Sequence, residues 1–204
     1  MVITIARQFG SGGREIGRKL SKELSIPYYD KKLITLAAQE SGIDPEIVKS
    51  VDERATNSLL YSLSMGAAAA IDGGFQINPE LPMNDRLFLV QHDIIKQLAE
   101  KPCIIIGRCG DYVLRNRPDC VKLFIYADLD KRTEYAINVH NVPRDRAKAV
   151  VVKTDKTRAN YYNYYASERW GDPEIYDLCI NSGSLGIDGS VELIEFYLKQ
   201  RGMI

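Results

Sequence analysis

The first 30 residues show a change of hydrophobic periodicity that predicts a strand, a loop and a helix. Residues 2–6 form a short, largely β-branched apolar run, which favours a strand. From Arg14 onward the apolar positions Ile16, Leu20 and Leu24 recur four residues apart, which favours a helix. The stretch between these two segments is rich in glycine and is predicted to be a loop.

The alternation of strands and helices continues along the chain. Further strands are predicted over residues 27–29, 103–106, 121–126 and 176–180. Helices are predicted over residues 31–41, 45–65, 84–100, 128–139, 144–168 and 191–198, with a loop or hinge over residues 66–82. This alternation predicts an α/β fold, in which helices flank a parallel sheet of about five strands in a three-layer arrangement. Ligands bind outside the carboxyl ends of such strands, so the loops after residues 6, 30, 107 and 126 are predicted to share one rim.

Composition limits the class of protein. The chain has 204 residues, of which 45% are hydrophobic, and it carries 27 basic and 27 acidic side chains, as expected for one globular domain. No apolar run approaches the roughly 20 residues that span a bilayer, and the opening residues lack the features of a signal peptide. We therefore expect a soluble, cytoplasmic protein with no membrane partner, and the zero net charge argues against a nucleic-acid partner.

The cysteines show no pattern of a metal site or disulfide framework. They lie at scattered positions without a C-x-x-C pair, namely Cys103, Cys109, Cys120 and Cys179. We interpret them as reduced core thiols, with a catalytic cysteine as the weaker alternative.

Positive charge is concentrated in two segments despite the neutral total. Residues 1–32 carry 7 basic and 3 acidic side chains, and residues 140–169 carry the same numbers. Each segment could be a solvated helical face, or both could contact one anionic ligand.

The glycine-rich loop contains Gly10, Ser11, Gly12 and Gly13, directly before the first predicted helix. Glycines allow the backbone to direct several N–H groups at one point, and a helix N-terminus adds a partial positive charge. The loop therefore predicts a phosphate site, with a purely structural turn as the alternative.

This loop departs from the pattern G-x-x-x-x-G-K-[ST]. Arg7 replaces the first glycine, Gly13 stands at the lysine position, and Arg14 and Glu15 follow. Arg7 or Arg14 is a candidate for the missing positive charge, because a guanidinium matches phosphate oxygens. Glu15 would either ligate magnesium or repel a triphosphate.

Five segments of the chain carry a family resemblance: residues 3–13, 27–30, 106–108, 170–172 and 176–179. On these segments the chain resembles, over nearly its whole length, the cytidylate kinase-like family of P-loop nucleoside monophosphate kinases. The resemblance implies one kinase-like domain over residues 1–204, with a helical acceptor-binding insert at about 31–100 and a basic helical lid at about 140–170. It also implies transfer of the γ-phosphoryl group of ATP, with Mg²⁺, to a pyrimidine monophosphate such as CMP.

The resemblance further implies roles for residues outside the loop. Cytidylate kinases carry Gly-Arg-Asp after the central strand; here Arg108 matches, Cys109 replaces the aspartate, and Asp111 lies two residues further on. Asp30 resembles the acceptor-site aspartate of the family, or it caps the following helix. Arg108, Asp111 and Asp30 are therefore predicted to bind the acceptor.

The predicted lid helix carries Asp155 and Arg158 at the spacing of the family's Asp-x-x-Arg. Residues three apart share a helix face, so Asp155 is predicted to orient Arg158 or bind the acceptor, while Arg158 reaches the transferring phosphate. Further lid cations are predicted at Arg144, Arg146 and Lys153. The alternative is a surface helix stabilised by local ion pairs.

Other interpretations remain open at this stage. The altered loop also fits a nucleotide- or phosphate-binding protein that has lost transfer, and the Cys109 replacement fits a kinase for another small molecule. The Ala67–Ala70 run is either a homodimer surface or a buried helix end. Tyr161, Tyr162, Tyr164 and Tyr165, with Trp170, could stack on a base, but packing is the favoured interpretation for them. His92 and His140 are interpreted as packing residues.

Overall fold

The structure of the protein is a computed structural model that describes residues 1–30 and 83–204. In this part of the chain the strands are β1 (Val2–Arg7), β2 (Tyr28–Tyr29), β3 (Cys103–Ile106), β4 (Cys120–Tyr126) and β5 (Leu178–Asn181). The helices are α1 (Gly13–Glu23), α2 (Met83–Leu98), α3 (Gly110–Val113), α4 (Leu129–His140), α5 (Arg144–Ala166) and α6 (Ser182–Gln200). A 3₁₀ turn, Pro173–Ile175, precedes β5.

The described strands form one parallel sheet in the order β2-β3-β1-β4-β5. β1 lies at its centre, where Val2 pairs with Cys103 on one side and with Cys120 on the other. Strands covered by helices on both faces need apolar side chains on both faces, and β3 is accordingly buried at every position. The predicted α/β fold with a parallel sheet of about five strands is confirmed.

Helices pack on both faces of the sheet. On one face, Ile16 and Leu20 of α1 and Val191 and Ile194 of α6 join the apolar side chains of the sheet. On the other face, Ile95 of α2 and the α3 region cover a second cluster with the alternate strand residues. Full burial of one such aliphatic side chain contributes about 1.5–3 kcal/mol, so these two clusters hold the three layers together.

The last helix is the largest departure from the predicted boundaries. It begins at Ser182 rather than at residue 191, and Gly186 interrupts it with φ 71° and ψ −178°. The apolar periodicity becomes regular only from Val191, because glycines occupy 183, 186 and 189 in the first turns. Asn181 caps this glycine-rich start through its side chain, which accepts from the Gly183 N–H at 3.1 Å.

Two smaller differences concern β5 and α3. The strand begins at Leu178 rather than at residue 176, and the short helix α3 was not predicted. The helices predicted over residues 31–41 and 45–65, the loop over 66–82 and the Ala67–Ala70 run lie outside the described residues.

The parallel arrangement brings the carboxyl ends of β1, β3 and β4 to one edge of the sheet. The glycine-rich loop follows β1, and a turn at residues 107–109 follows β3. α5 reaches the same edge, because the backbone N–H of Phe9 donates to Asp155 in its middle. Among the described residues, no helix is long and apolar enough to cross a membrane.

The thiols belong to the core, as predicted. Cys103, Cys109 and Cys120 are buried, Cys179 is partly buried, and all four are free. Burial raises the pKa of Cys103 to about 11 and that of Cys120 to about 12. Burial also raises the pKa values of Cys109 and Cys179, so these thiols are held in the unreactive protonated form.

Candidate functional site

The glycine-rich loop adopts a conformation that requires its glycines. Gly10 and Gly12 have φ values of 78° and 72°, in the left-handed region that L side chains rarely adopt. A Cβ at Gly10 would also lie 2.3 Å from the carbonyl oxygen of Arg132. Gly12 is the N-cap of α1, so the loop leads directly into the N-terminus of that helix. The side chain of Ser11 is turned inward, where its hydroxyl donates to the Gln8 carbonyl at 2.9 Å.

A largely buried ion pair holds the glycine-rich loop in place. Arg132 of α4 donates from Nη1 to Asp155 of α5 and to the Phe9 carbonyl, the latter at 3.2 Å. Asp155 also accepts from the Phe9 N–H at 2.7 Å. The guanidinium is anchored further by a 2.8 Å bond from Nε to the Ala127 carbonyl. Both backbone groups of Phe9 are thus tied to one charge pair, which fixes the loop before any ligand arrives.

The loop lines a concavity that we name the loop pocket. Its lining residues are Arg7, Gln8, Phe9, Gly10, Gly12, Gly13, Arg14, Tyr135, His140 and Arg158. Glycine backbone, a helix N-terminus and three arginines therefore surround one space. Such a set of N–H groups and cations favours an anion with several oxygens, as a polyphosphate has.

A second concavity adjoins the first, and we name it the aromatic pocket. Its lining residues are Ala6, Arg7, Gly107, Arg108, Cys109, Asp111, Arg158, Tyr161, Tyr162 and Trp170. Arg7 and Arg158 line both pockets, so the two share one wall of cations. Arg158 is held there by a 3.1 Å bond from Nη1 to the Arg7 carbonyl, with its guanidinium 5.6 Å from the centre of the Phe9 ring.

The turn after β3 places Arg108 in the aromatic pocket. Gly107, Arg108 and Cys109 all have positive φ, at 69°, 58° and 54°. Two of these are side-chain-bearing residues in a conformation that costs about 1–2 kcal/mol each, so packing must enforce it. As a result Arg108 is buried, and its guanidinium lies 5.9 Å from the centre of the Tyr161 ring.

Asp111 lies at the base of the aromatic pocket and is almost fully buried. The Tyr162 hydroxyl contacts Asp111 at 2.7 Å and Glu168 at 3.2 Å, and as a single donor it can serve only one of them at a time. Burial raises the pKa of Asp111, with nearby Glu168 adding to the rise, while the contact with Tyr162 opposes it. The pocket therefore contains a carboxyl group that is more readily protonated than an exposed one.

Two predicted donor-site residues have protein partners. Arg14 lines the loop pocket and forms an ion pair with Asp30, with 3.4 Å between Nε and Oδ2. Asp30, predicted to bind the acceptor, is buried beside that arginine, and the helix it was alternatively predicted to cap lies outside the described residues. Glu15 is exposed and accepts from the Tyr135 hydroxyl at 2.6 Å.

Three predicted lid cations lie apart from the two pockets in the described part of the chain. Arg144 pairs with Glu134 at 2.9 Å, Arg146 lies 3.5 Å from Asp145, and Lys153 is exposed. Within residues 1–30 and 83–204 there is also no group of three or more His, Cys, Asp or Glu side chains placed to hold a metal ion.

Sequence reasoning missed several residues of this site, and those outside the glycine-rich loop include Arg132, Tyr135 and His140. Arg132 and Asp155 are 23 residues apart and meet only because α4 packs on α5. His140 was interpreted as a packing residue, yet it lines the loop pocket. No local motif marks any of the three, although the basic segment that starts at residue 140 is a weak signal for His140.

Sequence comparison finds cytidylate kinases that are similar to this chain. Among curated proteins, the cytidylate kinase of Sulfurisphaera tokodaii is 23% identical over 201 residues, covering 98% of this chain and 96% of that protein. A cytidylate kinase of Saccharolobus islandicus is 22% identical over 200 residues, covering 98% and 91%.

Solved structures support the fold. An uncharacterized protein from Eubacterium ventriosum superposes with a TM-score of 0.72 at 25% identity, covering 98% of both chains. Shikimate kinase from Bacteroides thetaiotaomicron superposes with a TM-score of 0.54 at 13% identity, again covering 98% of both chains, and shares the fold alone. The family described as the cytidylate kinase-like family matches residues 2–184. The chain, with its kinase-like sheet and altered glycine loop, belongs to the cytidylate kinase-like family.

Proposed function

We propose that the protein is a nucleoside monophosphate kinase-like phosphotransferase that moves the γ-phosphoryl group of ATP to a pyrimidine monophosphate such as CMP. The observation that carries the proposal is the meeting of the loop pocket and the aromatic pocket at Arg7 and Arg158. A transferring phosphoryl group lies between donor and acceptor, so a shared cationic wall is where its charge would be neutralised.

The loop pocket fits the donor. Backbone N–H groups around Gly10–Gly13 and the N-terminus of α1 would hold the phosphates, and Arg14 would supply the charge that the lysine supplies in the standard loop. Magnesium ATP, when bound, supplies the phosphoryl group, and the metal would be held through the phosphates rather than by a protein cluster. The pair between Arg132 and Asp155 would keep the loop in this shape throughout the reaction.

The aromatic pocket fits the acceptor. Arg108 is the candidate for the acceptor phosphate, because it is buried and a guanidinium can bind two phosphate oxygens at once. Tyr161, Tyr162 and Trp170 offer apolar and aromatic surface for a nucleobase, and Asp111 offers a buried hydrogen-bonding group. Selection of a pyrimidine over a purine would depend on these side chains.

Arg158 would act on the transferring group itself. It lines both pockets, where its guanidinium can stabilise the negative charge that spreads over the phosphoryl oxygens during transfer. No covalent enzyme intermediate is needed, because positioning and electrostatics carry most of this chemistry. Arg144, Arg146 and Lys153 would join only if the start of α5 moved toward the ligand, as lids do in closing enzymes.

A nucleotide-binding protein without transfer is the second candidate. It is favoured by one observation: the residues at the lysine and hydroxyl positions are Gly13 and Arg14, and Arg14 already pairs with Asp30. Such a protein would bind ATP tightly and release no ADP.

Label transfer from γ-labelled magnesium ATP separates these candidates. The purified protein is incubated with each nucleoside monophosphate, and with a panel of hydroxylated small molecules, while free phosphate is recorded in the same reactions. We expect transfer to CMP above all other acceptors. Transfer only to a hydroxylated small molecule would replace the acceptor but keep the reaction class. Tight ATP binding with no transfer to any acceptor would contradict the kinase and support the binding protein.

A further inference from the structure

His140 occupies a defined position in the loop pocket. It is the last residue of α4, and its ring is stacked on Phe9 of the glycine-rich loop, with 5.0 Å between centroids and 30° between planes. Tyr135, one turn earlier on α4, meets the same ring edge-on at 5.5 Å. The imidazole is thus fixed against the loop by two aromatic rings, and it lines the pocket together with Gly10, Gly12 and Gly13.

Cations face this imidazole from two other elements. Although His140 is exposed at the surface overall, desolvation of its ring against the pocket lowers its pKa below the ordinary value, and Arg14 on α1 and Arg158 on α5, which both line the pocket, add to this effect. On its own helix, Tyr135 is engaged with Glu15, and the C-terminus of α4 opposes the lowering of the pKa because it favours a positive charge. Without an anion in the pocket, His140 is therefore mainly neutral near pH 7.

We propose that His140 is a proton-dependent phosphate ligand, which takes up a proton from solvent when a polyphosphate enters the loop pocket and so supplies a cation that the altered loop lacks. This inference rests on the proposed function, since it assigns one more residue to the same donor site. It explains why the loop can hold phosphates with glycine at the lysine position: part of the missing charge arrives with the ligand.

The direction of the effect follows from the charges. Burial, the largest cause of the low pKa, stays in the complex, but a polyphosphate between Arg14 and Arg158 offsets the repulsion by these two cations, and its own negative charge favours the imidazolium. The pKa of His140 is therefore higher in the complex than in the free protein. At pH values between these two pKa values, binding of the anion is coupled to uptake of a proton. Affinity for the anion must then rise as the pH falls through this range.

The chain makes the test direct, because it contains only two histidines. Proton NMR titrations follow the His92 and His140 ring signals with and without inorganic pyrophosphate, and His92→Gln and His140→Gln assign them. We expect the titration midpoint of His140 to move to higher pH when pyrophosphate is bound. His92, which is paired with Asp93 and lines neither pocket, provides the internal control signal.

Binding measurements supply the second readout. The affinity for pyrophosphate is measured at several pH values between about 8 and about 6. Between these limits the affinity of the wild type should increase about tenfold more than the affinity of His140→Gln. The ionisation of pyrophosphate itself is common to both proteins and cancels in this comparison. His140→Lys, with a fixed charge, should bind tightly at the higher pH and lose the extra dependence.

Three outcomes would overturn the inference. The His140 midpoint could stay unchanged in the complex, His140→Gln could weaken binding equally at every pH, as a purely structural role would, or pyrophosphate could fail to bind. Label transfer from ATP decides the proposed function separately. An active kinase with an unmoved His140 midpoint loses only this inference, whereas a shifted midpoint without transfer loses only the kinase.

Discussion

The loop pocket and the aromatic pocket lie side by side but are built from different parts of the chain. The loop pocket is formed largely by one continuous segment and by backbone whose shape depends on glycine. The aromatic pocket is assembled from side chains of β1, the turn after β3, α3, α5 and the segment that follows α5. Backbone N–H groups recognise charge, whereas packed side chains recognise shape and hydrogen-bonding pattern. If the proposed function is correct, donor binding and acceptor choice should therefore be separable in this protein.

Substitution of the residue shared by both pockets should have the largest effect. Arg158→Ala removes the cation between donor and acceptor, so we expect kcat for label transfer to fall by about 10³-fold. Lys148→Ala, an exposed lysine on the same helix that lines neither pocket, is the matched control and should retain wild-type kcat. A loss below tenfold in Arg158→Ala would show that the shared wall does not act on the transferring group.

Substitution of a glycine in the glycine-rich loop should have the next largest effect, which is a loss of folding stability. Gly10→Ala combines φ of 78° with a Cβ at 2.3 Å from the Arg132 carbonyl oxygen, so we expect the free energy of unfolding to fall by about 3 kcal/mol. Gly202→Ala has a similar φ of 63° but no atom within 4 Å, and should cost only about 1 kcal/mol. Urea denaturation measures both. Equal losses would mean that the loop is not tightly packed against Arg132.

Paired arginine substitutions test whether the two pockets are separable. Arg14→Gln should raise KM for ATP by about tenfold, because a lost charge-assisted hydrogen bond costs about 1.5–3 kcal/mol, and should change KM for the acceptor far less, only through its partner Asp30. Arg108→Gln should have the opposite effect, raising KM for the acceptor alone. Steady-state kinetics with each substrate varied in turn distinguish these results. Coupled changes in both KM values would contradict two separate sites.

The smallest effect concerns the carboxyl group at the base of the aromatic pocket. Burial raises the pKa of Asp111, so the folded state binds its proton more tightly than the unfolded chain does. The contribution of Asp111 to wild-type stability should therefore fall as the pH rises above about 4, where the unfolded carboxyl ionises. Asp111→Asn cannot ionise, and its stability relative to wild type should increase from about pH 4.5 to about pH 7.5 in urea denaturation. The exposed Asp130→Asn is the control, and a matching trend there would remove the argument for Asp111.

Much of the fold was predictable from sequence because its signals are local. The apolar runs at Val2–Arg7, Cys103–Ile106 and Cys120–Tyr126 form the three central strands, and the glycine-rich loop precedes α1 as predicted. The start of α6 was wrong, since its glycine-rich first turns carry no helical periodicity. Contacts that join distant segments have no such local signal.

The site shows the same division between local and distant information. Gly10, Gly12 and Arg108 could be assigned to the functional edge of the sheet from their places after strands, and the structure puts them there. The partner of Asp155 could not be assigned, because the sequence suggested Arg158 on the same helix face while the structure shows Arg132 on α4. The roles proposed for all of these residues in catalysis and binding stay predictions until the variants are assayed.

The four buried or partly buried thiols can report local opening of the protein. Cys103, Cys120 and Cys179 belong to β3, β4 and β5, and Cys109 lies in the wall of the aromatic pocket. Because each is held protonated by its surroundings, a thiol reagent must wait for that part of the chain to open before it can react. The modification rate of each cysteine thus reports how often its surroundings open, without any engineered label. An acceptor that fills the aromatic pocket would lower the modification rate of Cys109 more than that of Cys179.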